Sequence, residues 1–203
     1  MTKLHEFVAD LAAASVGRTV NPYRIDHQVD DLDRPNAAQT RSDNLLTYLR
    51  SHPAPRLMLV GEAPGYRGCR FSGIAFTSER SLPPAQWSSL HARGWQEPSA
   101  TIVHGALTAT GLEEETVLWN AVPFHPAGAV PLTNRTPTKA ELAAGLEWLD
   151  RLVAILQPQQ IVAIGRSAAS LLPGVPLLRH PANGGATLFR QGLAVLAAEM
   201  ERK

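Results

Sequence analysis

The fold is decided by the stretch LMLVGEAPG, residues 57–65, in which an apolar run stops at a glycine. The run does not alternate between polar and apolar residues, which is typical of a parallel strand buried on both faces. Glycines then stand at positions 61, 65, 68 and 73, with few side chains nearby that could build a core. The stretch therefore predicts a strand followed by a loop whose backbone another group approaches closely.

Short runs rich in Val, Ile and Leu recur along the chain, and helical stretches separate them. The predicted strands are Arg56–Val60, Thr116–Val122, Gln160–Ile164 and Val175–Arg179. This alternation predicts one α/β domain over residues 1–203, with three layers (α/β/α) and a four-stranded parallel sheet in the centre. In such sheets, ligands bind beyond the carboxyl ends of the strands, so we expect the functional residues there.

The helices are predicted from apolar periodicity. The clearest runs from Thr138, a plausible cap, to Leu156. Further helices are expected at Asp43–Ser51, from Gly165 to about Leu172, and at Ala186–Arg202. Residues 1–42 are predicted to form an amphipathic N-terminal helix followed, from residue 17, by a polar, turn-rich surface extension.

The composition excludes several classes of protein. Hydrophobic residues make up 44% and charged residues 18% of the chain, as in soluble globular proteins. The net charge of +1 argues against a histone-like binder, though not against a local basic groove. No apolar run reaches the length of a membrane span, and the N-terminus lacks the apolar core of a signal peptide. A cytoplasmic location without membrane contact is therefore expected. A monomer is also expected, although no pattern in the sequence bears on the oligomeric state.

Three motifs occur at predicted strand ends: Gly61–Gly65 followed by Gly73–Phe76, then Leu118–Val122, then His180-Pro181. Together they resemble the uracil-DNA glycosylase superfamily. The first is similar to motif one of that family, the second resembles the strand that carries a uracil-reading asparagine, and the third is similar to motif two. The resemblance covers roughly residues 45–200 and implies that the partner is DNA containing uracil or a related lesion. It implies a repair enzyme that flips out uracil, or a related deaminated or 5-substituted base, and hydrolyses its N-glycosidic bond.

Departures from the family pattern mark a divergent member. The form GEAPG is similar to that of the iron–sulfur branch, but that branch uses four cysteines and this chain has one, Cys69. No iron–sulfur cluster, metal or other cofactor is therefore expected. Ala63 stands where the best-studied branch has a water-positioning aspartate, and Ala182 stands where serine is common.

The resemblance assigns roles to His180, Asn120 and Phe76, and Glu62 is added as the only carboxylate of the motif-one loop. His180 would donate a hydrogen bond to uracil O2 as negative charge develops there. Asn120 would read N3–H and O4 through its amide, and Phe76 would stack on the extruded base. Glu62 is the first candidate to orient water, ahead of Glu79. Each residue also has a structural alternative: a backbone-bonded histidine, an asparagine that ties strand ends, a core phenylalanine, and a glutamate paired with a nearby arginine.

Further residues are expected around the base and the DNA. The base pocket is predicted to include Gly61, Ala63, Pro64, Gly65 and Tyr66. DNA contacts are predicted for Arg67, Arg70, Arg166, Pro181, Ala182, Asn183 and Gly184. A phosphate-binding edge could also include Arg179, Arg190 and Lys139. Because Gly65 has no side chain, whether a 5-substituted uracil enters is expected to depend on where Tyr66 lies.

The sequence also bears on the nucleophile and on two alternative functions. No lysine lies near any motif, which argues against Schiff-base chemistry and favours water as the nucleophile of a monofunctional enzyme. A non-catalytic protein that binds nucleic acid or a nucleobase on the same fold stays open, because the motif-one aspartate and the motif-two serine are missing. A small-molecule serine hydrolase is disfavoured, because no G-x-S-x-G turn is present.

Overall fold

The computed structural model describes residues 2–24, 32–130 and 132–202 of the 203-residue chain. At its centre, four parallel strands are arranged in the order β2-β1-β3-β4. They are β1 Leu57–Gly61, β2 Thr116–Asn120, β3 Gln160–Ile164 and β4 Leu177–Leu178. The predicted parallel sheet is confirmed. Strand β4 is shorter than predicted, since Pro176 has no N–H to donate to the ladder.

Seven α-helices lie around this sheet in the described part of the chain. They are α1 Lys3–Ala13, α2 Ala37–Ser51, α3 Cys69–Ser72, α4 Pro98–Ala109, α5 Lys139–Leu156, α6 Arg166–Leu171 and α7 Ala186–Met200. Short 3₁₀ helices occur at Glu79–Ser81, Pro84–Gln86 and Glu113–Glu115. Helix α5 begins as predicted, because the Thr138 hydroxyl accepts from the Glu141 N–H and the Glu141 carboxylate accepts from the Thr138 N–H.

The two faces of the sheet carry separate cores, which gives the predicted three-layer α/β/α arrangement. Successive strand residues point to opposite faces. Leu57 and Leu59 therefore pack with α4 and α7, whereas Met58 and Val60 pack with α1, α2 and α5. All five residues of β1 are buried, in agreement with its unbroken apolar sequence.

The interpretation of residues 17–42 as a surface extension is wrong for the part that the structure describes. The Tyr23 side chain is 1% exposed, and its hydroxyl donates to the Gly73 carbonyl at 2.8 Å. Helix α2 begins at Ala37, so it is longer than predicted. Arg41 on this helix is completely buried, pairs with Asp33 and donates to the Arg70 carbonyl at 3.2 Å. Tyr23 and Arg41 are therefore internal anchors of this segment. Residues 25–31 lie outside the described residues.

None of the helices in the described segments combines the length and the apolar content that a membrane span requires.

Candidate active site

A cavity of about 780 Å³ opens at the carboxyl edge of the sheet, where the sequence predicted the site. It is lined by Glu62, Ala63, Pro64, Gly65, Cys69, Phe76, Glu97, Asn120, Asn134, Ile164, Gly165, Arg166, Ser167, Leu177, Arg179 and His180. The residues predicted to read, stack on and polarise a base thus reach one cavity from different parts of the chain. Its volume is in the usual range for small-molecule sites, about 300–1,000 Å³.

Asn120 is the last residue of β2 and lies beside Gly61, the last residue of β1. The Asn120 side chain is 4% exposed, and no described residue hydrogen-bonds to its amide. The alternative that this amide ties strand ends together is therefore not supported. A Cβ at Gly61 would lie 2.8 Å from the Asn120 Oδ1 and 2.6 Å from the Phe76 Cζ. Gly61 consequently makes room for two pocket side chains of the protein itself, rather than for DNA.

Phe76 lies between the core and the cavity. Its ring is 6% exposed and belongs to the core beneath α4 and α7, yet it also lines the cavity. The backbone at Phe76 is left-handed, with φ of 49°, which is uncommon for a bulky residue and costs on the order of 1–3 kcal/mol. The ring centroid lies 6.2 Å from that of His180, at an interplanar angle of 44°.

His180 follows β4 and is held in one tautomer by its own loop. Its Nδ1 accepts from the Ala182 backbone N–H at 3.1 Å, so in the neutral ring the proton is on Nε2. Burial lowers the pKa of His180, and the nearby charge of Arg179 lowers it further. Gly165, with φ of +89°, lies so close that a Cβ there would be 3.2 Å from the His180 Cβ. The site therefore favours a neutral imidazole that donates from Nε2.

Glu62 lines the cavity with a half-buried side chain. No ion pair joins its carboxylate to Arg67 or Arg70 within the described segments, so the salt-bridge alternative is not supported. The Glu62 carbonyl accepts from the Val122 N–H at 2.9 Å, which extends the pairing between β1 and β2 into the loop. The backbone that carries the carboxylate is therefore fixed.

His125 and Asn134 hold the motif-one loop from the connection between β2 and α5. The His125 Nδ1–H donates to the Pro64 carbonyl at 2.9 Å, and burial lowers the pKa of His125 to about 4. Asn134 lines the cavity and accepts from the Tyr66 N–H at 3.1 Å. His125 is 1% exposed and therefore acts as an internal tether of this loop.

The backbone of His125 is also hydrogen-bonded to the N-terminal segment. The Val20 N–H donates to the His125 carbonyl at 2.8 Å, and the His125 N–H donates to the Val20 carbonyl at 2.9 Å. The chain between α1 and α2 is thereby joined, through a single histidine, to the carbonyl of Pro64 in the pocket wall.

Three predictions for the motif-one loop need correction. Arg70 is 3% exposed, with its guanidinium 4.8 Å from the centre of the Phe71 ring, so it is buried away from any DNA. Tyr66 is half-buried under the Arg67 guanidinium and is not among the residues that line the cavity. Gly61 does not line the cavity either, because the side chains of Asn120 and Phe76 occupy the space beside it. Arg67 is exposed.

The motif-two loop and the nearby arginines form the rim. Asn183 and Gly184 are exposed and both have positive φ, Ala182 is half-buried, and Pro181 is buried. The Arg179 guanidinium donates to the carbonyls of His180 and Asn183 at 3.2 and 3.5 Å, which braces this loop. Arg166 is exposed at the cavity edge, and Lys139 and Arg190 are exposed on α5 and α7. The DNA contacts of these residues stay predictions, because their positions alone do not test them.

Glu79, the second candidate to orient water, is buried away from the site, and Cys69 is a buried thiol. The Glu79 carboxylate is completely buried and accepts from the N–H groups of Ser88, Ser89 and Trp95, at 2.8 to 3.1 Å. It closes a surface loop and cannot orient water for the site. Burial raises the pKa of the Cys69 thiol to about 12.

Glu97 lines the cavity and was not predicted from the sequence. It immediately precedes α4, far along the chain from every motif. The one signal of Glu97 in the sequence is Gly68, because a Cβ at Gly68 would lie 1.6 Å from the Glu97 Oε2. A glycine that makes room for a distant side chain cannot be assigned its partner without coordinates.

Metal ligation finds no support in the described residues. No group of three or more His, Cys, Asp or Glu side chains there has the arrangement of a metal site. A four-cysteine iron–sulfur cluster does not fit the chain, whose single cysteine is buried with its sulfur 4.0 Å from the Tyr23 hydroxyl.

The fold and this site define a protein of the uracil-DNA glycosylase type, and comparison with known families agrees. Residues 50–199 match the family described as the uracil DNA glycosylase superfamily, so the chain belongs to that superfamily. This confirms the resemblance that the motifs indicated. Membership supports a DNA glycosylase-type enzyme in the broad sense.

Among solved structures, the chain is similar to the crystal structure of wild-type Pedobacter heparinus SMUG2. The TM-score is 0.70, and the match covers 100% of both chains at 13% sequence identity. At this identity, the similarity establishes the shared fold. No curated protein sequence matches the chain.

Proposed function

We propose that this protein is a monofunctional DNA glycosylase that excises uracil, or a closely related base, and leaves an abasic site. The observation that carries the proposal is the meeting of Asn120, Phe76 and His180 in one cavity. An amide, an aromatic ring and an N–H donor are the three groups needed to read a flipped pyrimidine, to stack on it and to stabilise it as it departs.

Base recognition is assigned to Asn120 and Phe76. The Asn120 side chain lines the cavity and has no hydrogen-bond partner among the described residues, so its amide is available to a ligand there. A uracil edge supplies both partners, since N3–H donates to the amide oxygen and O4 accepts from the amide nitrogen. The Phe76 ring would stack on the same base, which contributes roughly 1–3 kcal/mol.

Bond cleavage is assigned to His180 together with water. As the C1′–N1 bond breaks, its electron pair stays on the base, and negative charge grows on O2. The neutral His180 donates its Nε2–H to that oxygen, an interaction worth about 10²–10³ in rate when it is lost. The water oxygen bonds to C1′ and releases a proton, and the departing base ends with a proton on N1.

Glu62 is proposed to orient the attacking water. It is the carboxylate of the motif-one loop, it reaches the cavity, and it has no ion-pair partner in the described segments. A carboxylate there would also stabilise the cationic sugar of the transition state. The exposed Arg67 and Arg166, with the loop of residues 181–184, are proposed to contact the DNA strand.

Single-turnover excision from uracil-containing oligonucleotides, single- and double-stranded, tests this function. Wild-type protein is expected to produce abasic sites that hot alkali cleaves. His180→Gln should slow excision about 10²–10³-fold with DNA affinity retained. His52→Gln, at the end of α2 that precedes β1, is the matched control and should leave the rate unchanged.

Other outcomes of the same assay would contradict the proposal. DNA binding without any abasic product would favour the alternative, a non-catalytic binding protein on the same fold. A parallel loss of binding and cleavage in His180→Gln would make His180 a structural residue.

A further inference from the structure

Phe76, whose ring lines the cavity, lies in a turn that disfavours a bulky side chain. The Thr77 N–H donates to the Ile74 carbonyl at 3.2 Å, so Ala75 and Phe76 are the central residues of a β-turn. Phe76 occupies the third position of this turn with φ of 49°, where glycine or asparagine is usual. Such a conformation persists only where the surrounding structure holds it in place.

Two hydroxyl groups join the end of this turn to helix α4. The Thr77 hydroxyl is hydrogen-bonded to the Ala75 carbonyl at 3.1 Å, within the turn, and to the His104 Nε2 at 3.3 Å, on α4. The next hydroxyl, that of Ser78, accepts from the Glu97 N–H at 2.8 Å, directly before α4. Thr77 and Ser78 are both buried, so solvent does not replace these partners.

His104 is held at its other ring nitrogen by Glu113. The His104 Nδ1–H donates to the Glu113 Oε1 at 2.5 Å, and the Thr108 hydroxyl donates to the second oxygen of the same carboxylate at 3.2 Å. Glu113 begins the 3₁₀ helix before β2. The imidazole is therefore fixed from both sides, although His104 is not among the residues that line the cavity.

Helix α4 thus acts on Phe76 in two ways. Val103 and Leu107, which flank His104 on this helix, belong to the same apolar cluster as the Phe76 ring. Apolar packing has no preferred direction, so it buries the ring without fixing its plane. Hydrogen bonds are directional, and those of Thr77 fix the turn from which the ring projects.

We propose that His104 is a positioning residue for base excision, which holds, through Thr77, the turn that aims the Phe76 ring at the extruded base. This inference rests on the proposed glycosylase function and adds a residue outside all three motifs. Without the hydrogen bond to Thr77, the ring stays in the pocket but its plane tilts. A misplacement of about 1 Å in a positioning group can slow an enzyme about 10²-fold.

Two substitutions separate the contacts of His104. The amide of His104→Gln extends as far as Nε2 and still reaches Thr77, whereas the shorter amide of His104→Asn reaches only toward Glu113. We expect His104→Asn to slow single-turnover uracil excision about 10-fold or more with DNA affinity unchanged, and His104→Gln to retain most of the wild-type rate. Thr77→Val should slow excision as much as His104→Asn does. The control His5→Asn, on α1 at the other face of the sheet, should match wild type.

Coupling to Phe76 distinguishes positioning from a general loss of stability. In a Phe76→Leu background, His104→Asn should slow excision much less than it does alone, because the ring that His104 orients is gone. A ¹⁹F NMR spectrum of protein labelled with 4-fluorophenylalanine reports on the ring without any activity. The Phe76 resonance, assigned by its absence in Phe76→Leu, should shift or broaden in His104→Asn and keep its position in His104→Gln.

Several results would overturn the role of His104 while the glycosylase function stands. They are a wild-type excision rate in His104→Asn, equal losses in His104→Asn and His104→Gln, and effects of His104→Asn and Phe76→Leu that simply multiply. If the wild-type protein excises no base, the proposed function fails. The fluorine spectra then decide the role of His104, which is refuted if the Phe76 resonance of His104→Asn equals that of wild type. Melting temperatures ensure that every variant is compared where it is folded.

Discussion

Replacing Gly61 with alanine perturbs the pocket through a single methyl group. The new Cβ would lie 2.6 and 2.7 Å from the Phe76 Cζ and Cε2 and 2.8 Å from the Asn120 Oδ1. Real Cβ atoms do not approach other atoms so closely, so the ring and the amide must both move. Overpacking of this kind costs about 1–3 kcal/mol. For a domain of this size, each kcal/mol lowers the melting temperature by roughly 2–4 °C.

Thermal unfolding and single-turnover uracil excision together measure this effect. Gly61→Ala should lower the melting temperature by about 2–12 °C and slow excision at least about 10-fold, since a small misplacement of positioning groups is costly. Gly105→Ala is the matched control. It makes the same chemical change inside α4, where no atom lies within 4 Å of the added Cβ. There alanine should stabilise the helix by up to about 1 kcal/mol.

A second substitution, at Phe76, tests whether the clash with its ring causes the destabilisation. Phe76→Leu shortens the side chain that the methyl group meets, so the double variant should be less destabilised than the two single changes predict together. The reasoning is refuted if Gly61→Ala melts within 1 °C of wild type and excises uracil at the wild-type rate, or if the two substitutions act additively.

Three further predictions concern single polar groups. Asn120→Asp should reduce single-turnover uracil excision by about 100-fold or more, because O4 then meets an acceptor; an unchanged rate would remove Asn120 from base reading. The pH profile of kcat/KM should be flat around pH 6.5 and fall only at lower pH, because the pKa of His180 is lowered and its neutral form is required; a fall beginning above pH 6.5 would contradict this. Between pH 6.5 and about 4 the unfolded chain takes up a proton on His125 that the folded chain does not, so the free energy of unfolding should drop by roughly 3 kcal/mol as the pH falls through this window. Denaturant titrations should show that His125→Asn removes this slope, and an unchanged slope would exclude His125 as its source.

Local sequence signals predicted the strands, and they predicted those helices whose apolar residues recur with a strong helical period. Helix α5 has a capping box and a regular apolar stripe, and β1 has an unbroken apolar run, so each signal lies within the element itself. Helix α4 had no such signal, because its sequence PSATIVHGALTA mixes a glycine with several β-branched residues of modest helix propensity. It is stabilised instead by packing against α7 over the sheet.

The residues of the candidate site also fall into those that the sequence predicted and those that it did not. Asn120 and His180 were predicted because parallel strands bring their ends together, a rule that needs only the order of the elements. The burial of Arg41, Arg70 and Glu79 was missed, because polar residues are exposed by default and their internal partners are distant in the sequence. Glu97 was missed for the same reason, since the glycines beside it are in another segment.

The hydrogen bonds between Val20 and His125 bear on how the protein should be shortened. The match to the superfamily begins at residue 50, and a fragment cut at that boundary would appear to retain all three motifs. It would lose Val20, which pairs with His125, while His125 in turn holds the Pro64 carbonyl. Such a trimmed enzyme is expected to fold less stably and to excise bases more slowly. Any truncation intended for crystallisation or for engineering should therefore retain the N-terminal segment.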